Sequence, residues 1–314
     1  MKPSSQIFRR SFSLVTSAAL LGTVVGCGGS NSVNSQTSTV SQSSPTATAS
    51  PCLLEGVKLT LRVKSANKEA SVTPELLAQM QEAMTKRLDG LGIKQAVVQP
   101  DGSDRLSILL PSNIDVRQAQ RVLVTTAKLE FREQKPETLE QLPVEQHQLQ
   151  LLLAEQENLK NSGDTAAIAK NQADIAQKRK AIVNFFAPAG LTGANLRDVN
   201  AQLSQFGNYW QLLLKFDESG AKLFTEMTKN VAGTGRSIGI FIDDVLISSP
   251  TVNSQYATTG ITGGAAEISG NFTDKQAQEL AIQLRSGALP ASVEIVSNQT
   301  FKNNNCSASP TTSP

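Results

Sequence analysis

The chain has 314 residues, 39% hydrophobic, 18% charged and 4% aromatic, with a formal charge of +2 at pH 7. That length holds a real core divided among two or three subdomains, and the composition is ordinary for an α+β protein. The near-neutral balance excludes an electrostatic case for nucleic acid, and no basic cluster marks a lipid-headgroup site.

Residues 1–26 read as a secretory leader, with Lys2, Arg9 and Arg10 ahead of an apolar run from Phe12 to Val25. Without those three cations, 26 basic residues face 27 acidic ones, a net charge of −1. Val24-Val25-Gly26-Cys27 resembles a bacterial lipoprotein signal, so Cys27 is expected to be acylated, palmitate included, and to begin the mature chain. The alternative is an ordinary signal peptide that ends near a cysteine. Lipid at Cys27 tethers a chain to a membrane without spanning it. Residues 27–52 are rich in Ser, Thr, Gly and Asn and read as a flexible linker with a reach of roughly 25 Å. No later stretch reads as a span. Val245–Ala266 lacks charge, but its Ser, Thr, Asn and Pro250 would leave polar groups unpaired in lipid.

Residues 53–134 alternate strands and helices. Val57–Val63 places Val57, Leu59, Leu61 and Val63 on one face. Thr73-Pro74 opens a helix whose apolar stripe is Leu76, Leu77, Met80, Met84, Leu88 and Leu91. Pro100-Asp101-Gly102 joins strands Ala96–Gln99 and Arg105–Leu110. Asp115 caps a second helix, and Ala127–Arg132 is expected as the fourth strand. The order β-α-β-β-α-β predicts a ferredoxin-like base.

Residues 135–187 predict an αα-hairpin. Leu149, Leu152, Leu153, Gln156 and Leu159 form one stripe, and Ile168, Ile175, Ile182 and Phe186 the other. Asn161-Ser162-Gly163-Asp164 stops and restarts the helix. Its many Gln, Lys and Glu suit a solvated insertion or a partner-binding arm.

Residues 188–290 predict an α+β head. Val199–Gln205 and Tyr209–Phe216 pair, and Ser219 is expected to cap a helix through Leu223, Phe224, Met227 and Val231. Ser237–Ile242 and Val245–Ser248 form a hairpin around Asp243-Asp244, and Pro250 ends its second strand. Ala266–Ser269 is a further strand. Thr273 and Gln276 have capping-box spacing before a helix with Ala277, Leu280, Ala281 and Leu284 on one face, stopped by Gly287 and Pro290. The head then reads as strands with two helices on one face. Residues 291–297 are expected to return beside the base, through Val293–Val296, and 298–314 to be a disordered tail.

The runs IFIDDVLISSP, GITGGAAEISGNFT and LAIQLRSGALP, with GIKQAVVQPDGSDRLSILLP, TAKLEFREQ and LTGANL earlier, closely resemble the SecD protein-export family. The similar part is that family's large first periplasmic domain, base plus head, over roughly Val57–Arg132 and Leu191–Ile295. Glycine is usual in the family where Ser112 follows Pro111, and aspartate-glycine where Asp243-Asp244 stands, so both turns are open to reshaping. The family's Asp-x-x-Gly-Gly signature is missing, since residues 52–57 read CLLEGV. The chain also stops before a second membrane helix, so no proton coupling of its own is expected.

The resemblance implies binding of unfolded or translocating polypeptides on the outer side of a membrane, in the periplasm, with secretion-channel components as candidate partners. Leu246, Ile247, Pro250, Val252 and Tyr256 are the expected contacts, because they form an uncharged, polar-flanked run after a Pro-terminated strand. Those side chains can equally complete the head core. The alternative function is an envelope lipoprotein that uses this domain as a module for a dedicated partner.

No catalytic constellation, metal site or cofactor is expected. His147 is the lone histidine and reads as a surface residue; Asp243 and Asp244 read as turn residues rather than a carboxylate dyad. The glycine-rich pieces at Gly233–Gly235 and Gly260–Gly264 lack the lysine of a phosphate loop. Cys52 and Cys306 bracket the folded part in an oxidising compartment and are expected to pair, the alternative being two free thiols.

Overall fold

A computed structural model describes residues 53, 55–64, 71–205 and 207–303. The fold is α+β with three antiparallel sheets. The first contains β1 (Glu55–Lys64), β2 (Val97–Pro100), β3 (Arg105–Pro111) and β11 (Ser292–Lys302), in the order β11-β1-β3-β2. Helices α1 (Pro74–Gly90) and α2 (Val116–Val124) complete this base, capped by Thr73 and Asp115 as their sequence signals require. Leu59 and Leu61, Met80 and Met84, and Leu106, Ile108 and Leu110 are fully buried in one cluster.

The strand order is ferredoxin-like, but its fourth place is filled from far along the chain. The strand expected at Ala127–Arg132 forms as β4 (Leu129–Glu133) and joins the head instead. The turn responsible is local. Ala127 adopts φ 57°, held by the Asp243 carboxylate, which accepts the amide hydrogens of Ala127 (3.0 Å) and Lys128 (2.9 Å). That directs the chain out of the base. β11 then covers β1 from Glu55↔Lys302 to Lys64↔Ser292, well beyond the short strand expected at Val293–Val296.

Helices α3 (Gln141–Leu159) and α4 (Thr165–Asn184) form the predicted hairpin, with Asp164 accepting from the Ala167 amide (2.9 Å). Most of it meets solvent, and His147 is exposed. Its root is built into the head. Leu142, Ile182 and Phe186 pack with Phe241, and the rings of Phe186 and Phe241 meet edge to face at 5.0 Å.

The head has two sheets. One orders β5 (Leu191–Thr192), β4, β8 (Ile238–Ile242) and β9 (Val245–Ser248) as β5-β4-β8-β9; the other orders β6 (Leu196–Leu203), β7 (Trp210–Phe216) and β10 (Ala265–Phe272) as β10-β7-β6. A shared core joins them, with Phe131 edge to face against Phe216 (5.7 Å) and Phe224 (6.3 Å). Helix α5 (Glu218–Val231) is capped by Asp217, which accepts from the Gly220 amide at 2.6 Å. The cap expected at Ser219 is therefore corrected. Asp217 has the extended backbone a cap needs and offers a charged acceptor, which leaves Ser219 inside the first turn.

Helix α6 (Asp274–Arg285) starts with the predicted Thr273/Gln276 capping box and joins head to base. Ala277, Ala281 and Leu284 enter the head core. On its other side Glu279 takes a two-pronged ion pair from Arg121 of α2 (2.7 and 3.1 Å), which raises the Arg121 pKa. Lys275 reaches Asp115 at 2.9 Å, and the Gln283 amide donates to the Arg121 carbonyl at 3.1 Å. Arg87 of α1 is fully buried at this junction and donates to the carbonyls of Val122, Thr125, Thr126 and Gly287. Three of these end α2 and the fourth follows α6, so one guanidinium satisfies both chain crossings. Burial lowers its pKa to about 10, which leaves it charged at neutral pH. Among the described residues, no helix is long and apolar enough to cross a membrane.

Candidate functional site: the cleft between the head sheets

β9 and β10 are outer strands of their sheets, and an open cleft lies along them. The β8–β9 turn that sets one wall is tight. Asp243 (φ 51°) and Asp244 (φ 60°) both take the left-handed conformation that a two-residue hairpin turn needs. The reshaping expected here without glycine does not occur. Aspartate tolerates this conformation, and both carboxylates are satisfied. Asp243 binds the amides of residues 127 and 128, whereas Asp244 turns to the Arg132 guanidinium at 2.8 Å. The two carboxylates diverge, so they form no dyad.

Arg132 also bonds Glu130, which in turn meets Lys128 at 2.9 Å, and its guanidinium lies 4.8 Å from the centre of the Phe241 ring. Burial alone would lower the Arg132 pKa; the bonds to Glu130 and Asp244 outweigh it and raise it. This network braces β4 against the turn. At the other family glycine position, Ser112 has no positive φ, so that turn needs no glycine-like backbone.

The five expected contact residues divide among three places. Leu246 and Ile247 line a groove of about 400 Å³ with Gly270 and Phe272 of β10 and Gln276 and Leu280 of α6. Pro250 and Val252 line a narrower pocket of about 250 Å³, with Phe131 and Phe224 among its walls. Tyr256 stands in a short 3-10 turn and lines neither. Leu246 also packs on the Phe241 cluster, and Ile247 and Val252 on the head core; Pro250 is exposed.

Half of the site is absent from the sequence reading. Phe272, Gln276 and Leu280 belong to the far wall, and their only local signal was a strand followed by a capped helix. Phe131 lies over a hundred residues from Val252, with no local signal to link them. Among the described residues, no group of three or more His, Cys, Asp or Glu could hold a metal ion. Cys27, Cys52 and Cys306 lie outside the described residues, so neither acylation nor pairing bears on this geometry.

Family models match at two places: the SecDF P1 head subdomain at residues 166–291, and the N-terminal part of the P1 domain of protein translocase subunit SecDF at residues 77–136. Protein translocase subunit SecD of Synechocystis sp. is 41% identical over 249 residues, covering 78% of this chain and 53% of that protein. Its counterpart in Prochlorococcus marinus is 34% identical over 278 residues, covering 78% and 56%. The chain thus spans about half the length of these relatives. A crystal structure of SecDF in a super-membrane-facing form has a TM-score of 0.57 and 25% identity, over 79% of this chain and 30% of that one. A second structure, of a membrane component SecDF that enhances protein export, has a TM-score of 0.54 over 76% of this chain and 98% of that one. At 24% identity it speaks for the fold alone.

Proposed function

The chain belongs to the SecD protein-export family through its P1 domain, and from that premise we propose that it binds extended, unfolded polypeptides outside a membrane to which Cys27 tethers it. The observation that carries this reading is the cleft. Two sheet edges, β9 and β10, face a groove lined by Leu246, Ile247, Phe272 and Leu280. Sheet edges bind through backbone hydrogen bonds, which any sequence can supply, and apolar walls reward unfolded chains over folded ones. Secretion-channel components are candidate partners by family membership. Binding is passive, with no nucleotide or proton step in the proposal.

The test is the affinity of the full chain for an unfolded secretory protein against the same protein folded. The unfolded form should bind more tightly, and Ile247→Asp should weaken it while the fold persists. Equal affinity for both forms would defeat the proposal. Cys27→Ser should move the protein out of the detergent-rich membrane fraction, and retention there would remove the tether. A second reading, a module for one dedicated partner, is supported by Val144 and Leu151, both more than half exposed on α3. It predicts one defined partner and no general preference for unfolded chains.

A further inference from the structure

β10 offers more than an open edge. The Phe216 amide donates to the Gly264 carbonyl at 2.8 Å, and the ladder continues as Ala265↔Lys215 and Ala266↔Leu214. In an antiparallel ladder, alternate residues direct both backbone groups at the partner strand. Gly264 and Ala266 therefore face β7, and the N–H and C=O groups of Ala265 and Glu267 point outward. Among the described residues, no strand pairs with that side.

The 250 Å³ pocket opens beside these free groups, with Ala265, Ala266 and Glu267 on its β10 side and Pro250–Val252 on the other. Its inner wall is apolar and partly aromatic, from Phe131, Phe224 and Ile240. Glu267 makes no ion pair with another described residue and is exposed on the face of β10 opposite Ala266 and Ile268, so a strand added at this edge that turns one side chain into the pocket turns its two neighbours toward the Glu267 carboxylate.

We infer that an extended polypeptide adds as a strand to β10, placing one large apolar side chain in this pocket and a lysine or arginine beside Glu267. This deepens the proposed function and rests on it, for it names which residues of a client are read. Backbone bonds to Ala265 and Glu267 are blind to sequence. The pocket rewards a buried Leu or Phe over Ala, and the carboxylate favours a basic neighbour. The preferred client segment is therefore an extended run with an apolar residue flanked by cations.

Fluorescence anisotropy of the full chain with ten-residue Ser/Thr peptides tests this. One peptide carries a single Leu between two lysines, a second has Ala for Leu, and a third has Glu for each Lys. The Leu peptide should bind about 10- to 100-fold more tightly than the Ala peptide, and the Glu-flanked peptide more weakly than the Lys-flanked one. Ala266→Leu, which fills the pocket from β10, should bring the Leu-to-Ala ratio near one. Glu267→Pro, which removes an outward amide, should weaken both peptides. A ratio near one in the wild type, or an unchanged ratio in folded Ala266→Leu, overturns the inference. If unfolded proteins are still preferred while that ratio is one, only this inference falls. Loss of the unfolded preference removes the proposed function and this inference together.

Discussion

The base and the head use the same kinds of strand to opposite ends. In the base, one sheet pairs over long registers, with ten residues of β1 matched by β11, and Leu59, Leu61, Leu106, Ile108 and Leu110 of its inner strands are fully buried. In the head, β8 has five residues and β9 four, and two sheets share a core without joining, so two edges face one cleft. Wherever pairing is completed, backbone groups are spent on stability. Where it stops short, they remain available to a partner. Under the proposed function the base is the platform and the head the binding element, and α6, Arg87 and the Arg121–Glu279 pair hold the two together.

The sharpest way to break this arrangement is at Arg87. Arg87→Met removes the donor for four carbonyls at the junction, and denaturant unfolding should show a loss of about 3–5 kcal/mol. A loss below about 1 kcal/mol would mean that the junction does not depend on this side chain. The contrast between platform and cleft is sharpened by a matched pair of truncations. Ile108→Ala in the base core should cost about 2–5 kcal/mol. Leu246→Ala in the half-buried cleft wall should cost about 1 kcal/mol and weaken binding of unfolded protein more than it weakens the fold. Equal losses of stability would erase the distinction.

The smallest effect lies at the α2–α6 contact. The hydrogen bond from Lys275 and that from the Gln118 amide hold the Asp115 pKa below its ordinary value. A carboxylate lowered in the folded state stabilises above its unfolded pKa of about 3.9 and loses that contribution as pH falls through the folded value. Asp115→Asn can keep the cap but not the charge. Its stability should therefore fall less than that of the wild type between about pH 4 and pH 2. Parallel curves would show that the Lys275 contact adds nothing.

The sequence by itself determined the elements whose causes are local. The Thr73 and Asp115 caps, the Thr273/Gln276 capping box and the Asp164 restart of the αα-hairpin all rest on side chains within three or four residues of the backbone they satisfy. The two-residue turn at Asp243-Asp244 was legible for the same reason, as was one wall of the cleft. Even at this range Ser219 and Asp217 are equally suited by type to the cap of α5, and only the backbone geometry selects Asp217.

What only the tertiary structure decided was partnership. Strand periodicity shows which face of β4 is apolar, but not that Ala127 and the distant Asp243 carboxylate send it to β8, leaving β1 to β11. Arg87 gains its role only where the ends of α2 and α6 converge on it. The pocket likewise needs Phe131, Phe224 and Val252 from three separate stretches. Burial and edge pairing depend on chain segments brought together across more than a hundred residues, and no local spacing records that convergence.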